Sequence, residues 1–508
     1  MGKKSKTKKE GRRRASSIAD HQRIGKSLVP PLLKVPNLSP HSWIDDRLPE
    51  MLWACLVITV LPRDAALTAF RSVAAVGFAH RGVERRGDWL LFHSQLPNLP
   101  PEYLHTIVRV VTAHPLGYAA LRPLLLLEGL PGRELWKSLL DVEPQDDDWQ
   151  TLGRAVLLTL DHQSQEATDV RWLSVLFLMG LGVMHFPEHL REQGDCIVEY
   201  PNRGDMRAVR PSIRATEGAI VSASVQGASQ WPIAFWLECL RRTGCMPARI
   251  PGKQRVSYSV PDTIRSVLVL HAALVEHWFA SLQSTSVDAR HDTAFGFAFF
   301  CLSALLEMLV GRNGSGILAR TLLRSIVECR ITLAYLAKAN SHDLWQKFRK
   351  FGTGQAKLAL LKLDQVEGKL PEFVDPDVLE RLANEDFYEE FIAIDLGHWC
   401  GSDLRSMAEK SGTKDDYDRI YGWASAYVHG HWSAIRDACM THCFNPLHRL
   451  HRIPFGGHRM LEDAVPDAVA LVNSVLADLS RIYPQFDGRV ALIPVATKGR
   501  ISSADACD

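Results

Sequence analysis

The sequence lacks the long apolar run that a membrane-spanning helix needs, about 18–20 residues without interruption. Its three most apolar stretches, residues 51–62, 170–186 and 296–310, are shorter or carry charged or polar side chains. We therefore interpret them as buried core helices and expect no membrane partner. No apolar segment of the kind found in a secretory signal follows the basic N-terminus, and the ten cysteines stand among apolar neighbours, as reduced thiols do. The predicted location is the cytoplasm.

A strong net charge is also missing, since the formal charge of the chain is +2. The charge is uneven: residues 1–14 hold eight lysines and arginines against one glutamate, which gives +7 there and leaves −5 for the other 494 residues. The bulk charge of the body therefore excludes an extended basic surface for nucleic acid. The basic segment has no apolar stretch to offset the entropy of ordering, so residues 1–35 are predicted to be a disordered tail. That tail either binds phosphates weakly or serves only as a solubilising terminus.

Strand patterns are scarce, and apolar residues recur with helical spacing through most of the chain. We predict an all-α fold with a helical-hairpin domain over residues 36–255, a helical bundle over 256–486 and a C-terminal tail over 487–508. No fixed-period repeat is present, which argues against a regular solenoid. Residues 195–255 mix glycine, proline and β-branched residues, and we expect irregular structure there apart from one helix near 232–243.

Two motifs lack the context that their chemistry requires. Residues 311–316 are rich in glycine, but no Lys-Ser/Thr pair follows and a predicted helix precedes them, so we interpret them as a helix–helix turn rather than a phosphate-binding loop. Cys439, Cys443, His448 and His451 have ligand-type side chains, yet the Cys-x3-Cys spacing lacks the turn of a zinc knuckle. No metal site and no cofactor is therefore predicted.

The predicted helix over residues 317–338 is apolar on most faces, which is typical of a buried helix. Arg320, Arg324 and Glu328 recur at intervals of four residues and therefore share one face of it. A buried charge without a partner costs several kcal/mol, so these groups must pair with each other, with another helix or with a ligand. Either Arg324 and Glu328 form a structural pair that fixes the helix register, or Glu328 holds the Arg324 guanidinium ready for an anion.

A second set of polar residues lies on the predicted helix over residues 414–440. Tyr421, Ser425 and His429 share one face of this helix. Beside them runs a stripe of small residues, which we expect to let another backbone approach closely: Gly422, Ala426 and Gly430. The three polar groups are either hydrogen-bonded core residues or a candidate catalytic face.

The two helices together carry a resemblance. The segments LLRSIVECRITLAYLA and YGWASAYVHGHW, with their Arg-x3-Glu and Tyr-x3-Ser-x2-Val-His-Gly motifs, resemble a bacterial family of unknown function. The helical domain of that family is similar to the HEPN superfamily of nucleotide-binding bundles, many of which are metal-independent ribonucleases of toxin–antitoxin and phage-defence systems. The resemblance covers roughly residues 260–485. It implies a site formed by Arg324, Glu328, Tyr421, Ser425 and His429.

HEPN ribonucleases also carry an Arg-x4–6-His motif on a late helix. Arg436 and His442 fit that spacing and form the alternative catalytic pair, whereas the nearest arginine before His429 is Arg419. The resemblance implies a bacterial defence effector that cleaves RNA through its 2′-hydroxyl or binds a nucleotide. RNA or a nucleotide is then the expected partner, and a homodimer is a candidate assembly. The alternative function is a non-catalytic scaffold whose N-terminal helices bind a protein partner.

Overall fold

The computed structural model describes residues 21–29, 42–80, 89–224, 229–248, 257–312, 314–363, 365–385, 392–457 and 459–494. Within these residues the chain is all-α, which confirms the predicted fold class. The only strands among them are four segments of three residues each: β1 Gln22–Ile24, β2 Ser27–Val29, β3 Met440–His442 and β4 Arg452–Pro454. Strands β1 and β2 pair antiparallel, and β3 pairs with β4. Residues 1–20 and 30–35 of the predicted disordered tail lie outside the described residues, whereas residues 21–29 are described and form the β1–β2 pair, which was not predicted.

The chain forms two compact units. Unit 1 consists of Met1–Ala248 together with His442–Arg452, and unit 2 consists of Arg249–Thr441 together with Ile453–Asp508. Each unit has its own hydrophobic core. The short segment His442–Arg452 is thus separated in sequence from the rest of the unit to which it belongs.

Unit 1 is built from short helices connected by tight turns. Its α-helices are α1 Leu48–Glu50, α2 Leu52–Val60, α3 Arg63–Ala75, α4 Pro101–Thr112, α5 Gly117–Leu121, α6 Arg133–Leu140, α7 Asp148–Leu160, α8 Gln165–Gly180, α9 Arg191–Val198, α10 Met206–Ser224 and α11 Trp231–Arg242. A π-helical turn, Trp43–Arg47, leads into α1, and 3-10 turns lie at Val76–His80, Leu96–Asn98, Arg122–Leu126, Glu188–Leu190 and Pro446–His448.

The core of unit 1 is rich in tryptophan. Trp53, Trp136 and Trp172 are fully buried. The indole N–H of Trp53 donates to the Leu91 carbonyl at 3.0 Å and that of Trp172 to the Ile197 carbonyl at 2.6 Å, so both bury their rings without stranding a donor.

Residues 195–255 are more regular than predicted. They contain the second half of α9 and the whole of α10, in addition to α11, which begins and ends within one residue of the predicted helix. Pro211 lies inside α10, where it has no backbone N–H to donate to the helix. Because α10 packs against α8, tertiary contacts compensate for the helix hydrogen bond that proline removes.

Among its described residues, unit 2 contains four long helices together with shorter ones. The long ones are α12 Val260–Ser281, α13 Ala289–Val310, α14 Ile317–Ala339 and α15 His342–Leu363, and the shorter ones are α16 Pro376–Ala383, α17 Leu404–Ser411, α18 Lys414–Asp416, α19 Gly422–Val428, α20 Trp432–Cys439 and α21 Val465–Ile482, with a π-helical turn at Tyr417–Tyr421. Helix α14 packs against α13, α17, α19 and α21 and buries Ile326, Val327 and Ile331. This central position is what its apolar composition predicts.

Among the described residues, one helix, Ala289–Val310, is long and apolar enough to cross a membrane. Half of its apolar window is buried inside unit 2, where α13 packs against α14 and α21. Core helices commonly pass the same test of length and composition, so this finding is weak support for a membrane span.

The helix predicted over residues 414–440 is not continuous. A π-helical turn occupies its second turn, α19 ends at Val428, and α20 begins at Trp432. Gly430, with φ of +58°, adopts the left-handed conformation that stops α19. The prediction of one unbroken helix was therefore wrong, because glycine in a helical pattern is tolerated in some helices and ends others.

Candidate functional site

Arg324 and Glu328 lie one turn apart on α14 and form an ion pair. The Arg324 side chain is 14% exposed and that of Glu328 is 40% exposed, so the pair is half-buried rather than fully buried. Arg320, one turn earlier, does not join it. The Arg320 guanidinium instead donates to the carbonyls of Gly314 and Gly316, and this bonding fixes the turn before α14. That turn acts as a helix–helix connection, as predicted.

Tyr421 completes the contacts of Arg324. The Arg324 Nη2 donates to the Tyr421 hydroxyl at 2.8 Å, and the guanidinium carbon lies 4.6 Å from the centre of the same ring. The ring of Tyr417 stacks on that of Tyr421 with centroids 4.8 Å apart. Burial raises the pKa of the Tyr421 hydroxyl, which therefore stays protonated near neutral pH. These contacts attach the π-helical turn to α14.

The end of α19 has the 6→1 hydrogen bond of a Schellman motif, in which the N–H of His431 donates to the Ala426 carbonyl at 2.9 Å. The N–H of His429 donates to the Ser425 carbonyl at 3.1 Å and so makes the last hydrogen bond of the α-helix. Gly430, between the two histidines, supplies the left-handed conformation that the motif requires. Residues 429–431 connect α19 to α20, and together with Trp432, the first residue of α20, we call them the 429–432 turn.

This turn presents two histidines to solvent. His429 and His431 are both exposed, and their ring centroids lie 5.8 Å apart with nearly parallel planes. Trp432, the next residue, is 60% exposed. The exposure of this indole is unusual, because large aromatic side chains are mostly buried.

The predicted site residues are thus divided. The structure brings Tyr421 to Arg324 and Glu328, whereas His429 follows Tyr421 by eight residues, about 12 Å along a helix axis. Within the described residues no hydrogen bond or ion pair joins His429 to Arg324. Ser425 is half-buried in α19, between the two groups.

We expected another backbone to approach the stripe of small residues closely, but none does so at its two glycines. A Cβ atom added at Gly422 or at Gly430 would meet no atom within 4 Å, so both positions face open space. Ala426 is buried, but the close approach of another backbone at the two glycines was a wrong prediction. The glycine at 430 is explained by its backbone conformation instead.

The alternative catalytic pair, Arg436 and His442, is divided between the two units. Arg436 is half-buried on α20 in unit 2, whereas His442 belongs to unit 1. Arg452 Nη1 lies 3.1 Å from His442 Nε2, within unit 1. Because a guanidinium can only donate, His442 Nε2 is the acceptor in this contact.

Three members of the cysteine–histidine motif come together in unit 1: Cys443, His448 and His451. The fourth ligand-type side chain beside them is Cys245, which follows α11. Cys439 is the last residue of α20 in unit 2 and is not part of the group. Sequence spacing missed Cys245 because it lies 203 residues before His448.

Residues 294–443 match the model of a family of unknown function (DUF5677). The match includes Arg324, Tyr421 and the whole 429–432 turn. It supports the expected resemblance to a family of unknown function, while the likeness to HEPN bundles stays a prediction. Searches of curated proteins and of solved structures find no match.

Proposed function

We propose that unit 2 is a metal-independent RNA-cleaving domain in which His429 and His431 transfer the protons. The observation that supports this assignment is the pair of exposed imidazole rings, 5.8 Å apart, at a turn fixed by backbone hydrogen bonds. Both residues lie within the part of the chain that matches the family model. The HEPN resemblance adds the expectation of a cytoplasmic bacterial effector, active in phage defence.

The reaction is a transesterification within the RNA chain. One histidine accepts the proton of the 2′-hydroxyl while its oxygen bonds to phosphorus. The bond from phosphorus to the 5′-oxygen breaks, and the second histidine gives that oxygen a proton. The products are a 2′,3′-cyclic phosphate and a 5′-hydroxyl, so the balance requires neither water nor a metal ion.

The spacing of the two rings suits this chemistry. A general acid or base acts within about 2.6–3.2 Å of the oxygen it serves. The attacking and leaving oxygens lie on opposite sides of the phosphorus, so the two histidines must be near each other without touching the same oxygen. Rings with centroids 5.8 Å apart can reach both oxygens of one phosphodiester.

Neighbouring groups on α20 supply binding energy. The exposed indole of Trp432 offers a face on which a base can stack, worth about 1–3 kcal/mol. Arg436 lies one turn further along α20 and brings positive charge toward a phosphate. In this assignment the pair of Arg324 and Glu328 positions the turn through Tyr421 and does not touch the substrate.

Cleavage of a labelled single-stranded RNA by the purified full chain tests the proposal. We expect His429→Ala and His431→Ala each to lower the rate by about 10²–10⁴-fold, with an unchanged melting temperature, because each removes one proton-transfer group. His342→Ala, at an exposed position in α15, is the matched control and should leave the rate unchanged.

Three other results would reassign the function. Loss of activity in His442→Ala alone would move the site to the alternative pair. Saturable binding of RNA or nucleotide without any cleavage would indicate that unit 2 is a binding domain and not an enzyme. Absence of both cleavage and binding under any condition would contradict the catalytic and the binding function alike, and would favour a non-catalytic scaffold.

The scaffold is the second candidate function, and one observation favours it. Unit 1 has a groove of about 470 Å³ whose lining contains Arg71, Arg191 and Asp195 but is mainly apolar and includes Met179, Met184 and Phe186. Such adaptable side chains suit the apolar face of an amphipathic helix of a partner protein. A photo-crosslinker at Met184 should then capture one defined protein in cells, and the same group at exposed Leu157 should not.

A further inference from the structure

Four side chains of unit 1 direct a sulfur or nitrogen atom toward one point. Cys245, Cys443, His448 and His451 have ligand atoms that all lie within 4.8 Å of one another. The Cys245 sulfur is 3.5 Å from His448 Nδ1 and 3.4 Å from His451 Nε2. The Cys443 sulfur is 3.4 Å from the same His448 Nδ1.

These distances match the edges of a zinc coordination tetrahedron. Zinc binds cysteine sulfur at about 2.3 Å and histidine nitrogen at about 2.0–2.1 Å, so sulfur and nitrogen at tetrahedral corners are about 3.5 Å apart. The three sulfur–nitrogen distances in unit 1 lie within 0.1 Å of that separation. Two thiols and two imidazoles without an ion gain only weak hydrogen bonds from such close approach.

The surroundings orient the ligands as they do in metal sites. His448 turns Nδ1 toward both sulfurs, while its Nε2 lies 3.2 Å from the Thr243 carbonyl and 2.9 Å from the Thr243 hydroxyl. A metal-bound histidine usually donates its second N–H to such an oxygen, which fixes the tautomer. Asn445 Nδ2 in turn donates to the Thr243 hydroxyl at 3.1 Å and to the Gly244 carbonyl at 2.8 Å.

The backbone supports the sulfur of Cys443 in the same way. The N–H of Met246 donates to Cys443 Sγ at 3.2 Å, and the N–H of Phe444 donates to the Met246 carbonyl. A donor to sulfur stabilises the thiolate, the form that binds a metal. Cys443 and His448 are buried, whereas Cys245 is exposed and gives an ion access to the site.

We propose that Cys245, Cys443, His448 and His451 bind one Zn²⁺ ion. Two thiolates and two imidazoles in a tetrahedral set favour zinc over the harder Mg²⁺ and Ca²⁺, which prefer oxygen ligands. Four protein ligands leave no open position, so the ion is structural. This proposal does not depend on RNA cleavage by unit 2.

The ion gives the segment His442–Arg452 a strong attachment to the rest of unit 1. One ligand follows α11 and the other three lie on this segment, which otherwise contributes Leu447 to the core of the unit. Structural zinc sites contribute directly to folding energy because the unfolded chain holds no preformed site. Removal of zinc should therefore destabilise unit 1.

Metal analysis of the full chain, expressed with zinc in the medium and purified without chelators, tests the proposal. We expect one zinc ion per chain, retained through gel filtration. Cys245→Ser and His448→Ala should each lose it. Cys439→Ser removes an exposed thiol only four residues before Cys443 and should keep it, as should His185→Ala. Chelation should lower the melting temperature of the wild type and leave that of Cys245→Ser unchanged.

Cobalt substitution of the wild type gives a second measurement that needs no variant. Co²⁺ bound by two thiolates in a tetrahedral site should produce intense visible d–d bands and a sulfur-to-metal band in the near ultraviolet. Protein without bound zinc and without these bands would overturn the proposal. So would a disulfide between Cys245 and Cys443 in the purified chain, or zinc that Cys439→Ser loses and Cys245→Ser keeps.

Discussion

The guanidinium of Arg324 is held on three sides. Glu328 pairs with one end, the Tyr421 hydroxyl accepts from another nitrogen, and the Tyr421 ring lies against its face. Its charge is therefore compensated within the protein, and little of it is available to a phosphate. At the scale of single residues the sequence predicted the pairing correctly from the i, i+4 spacing. The contact of Arg324 with Tyr421 spans 97 residues, so helical spacing could not predict it, and only the family resemblance placed Tyr421 in the same site.

A double-mutant cycle on Arg324 and Glu328 should give unequal costs. Arg324→Ala removes a charge-assisted hydrogen bond, an ion pair and a ring contact, so we expect the free energy of unfolding to fall by about 2–3 kcal/mol. Glu328→Ala loses a half-exposed pair and should cost about 0.5–1 kcal/mol. Chemical denaturation measures both changes and the coupling between them, which should be about 0.5–1 kcal/mol.

The exposed pair of Arg405 and Glu409 on α17 serves as the control, since removing either side chain should change the unfolding free energy by less than about 0.5 kcal/mol. Equal and negligible losses for Arg324→Ala and Arg405→Ala would contradict the positioning role of Arg324.

At the scale of elements, strongly apolar helices were predicted well. Helix α14 begins at the predicted residue and ends one residue after the predicted end, because a long apolar pattern bounded by glycine or polar residues leaves few alternatives. The end of α19 was not predicted. Its Schellman motif depends on one residue with positive φ, and the sequence alone does not distinguish Gly430 there from Gly422 inside the helix.

Two glycine substitutions in this region should have effects of opposite sign. Gly430→Ala places a side chain at φ of +58° and should lower the free energy of unfolding by about 1–2 kcal/mol through backbone strain. Gly422→Ala lies in helical backbone, where the π-helical turn passes into α19, and has open space around its Cβ position, so it should raise stability by about 0.5–1 kcal/mol. Denaturation midpoints of both variants measure the contrast, and a stabilising Gly430→Ala would refute the assignment of the turn.

At the scale of the whole molecule, the all-α class followed from the scarcity of strand patterns. Which segments of the chain make up each unit could not be predicted from the sequence, because His442–Arg452 joins unit 1 across nearly 200 residues of intervening chain. The candidate zinc ligands show the same limit. Cys443, His448 and His451 are close in sequence, but no local spacing indicates that Cys245 is the fourth. Contacts between distant segments arise from packing, which periodicity along the chain does not encode.

The charge of residues 1–14 can be tested separately from the folded units. Those residues carry eight of the cations in the chain and no apolar stretch, so their deletion should leave the melting temperature unchanged. RNA affinity should fall, and the slope of log affinity against log salt should become shallower by about 0.7 for each lost phosphate contact. A variant of full length with the eight lysines and arginines changed to serine should match the deletion, since charge rather than length is responsible. Affinity and salt slope that survive both changes would place RNA binding in the folded units, where the 429–432 turn is the first surface to probe.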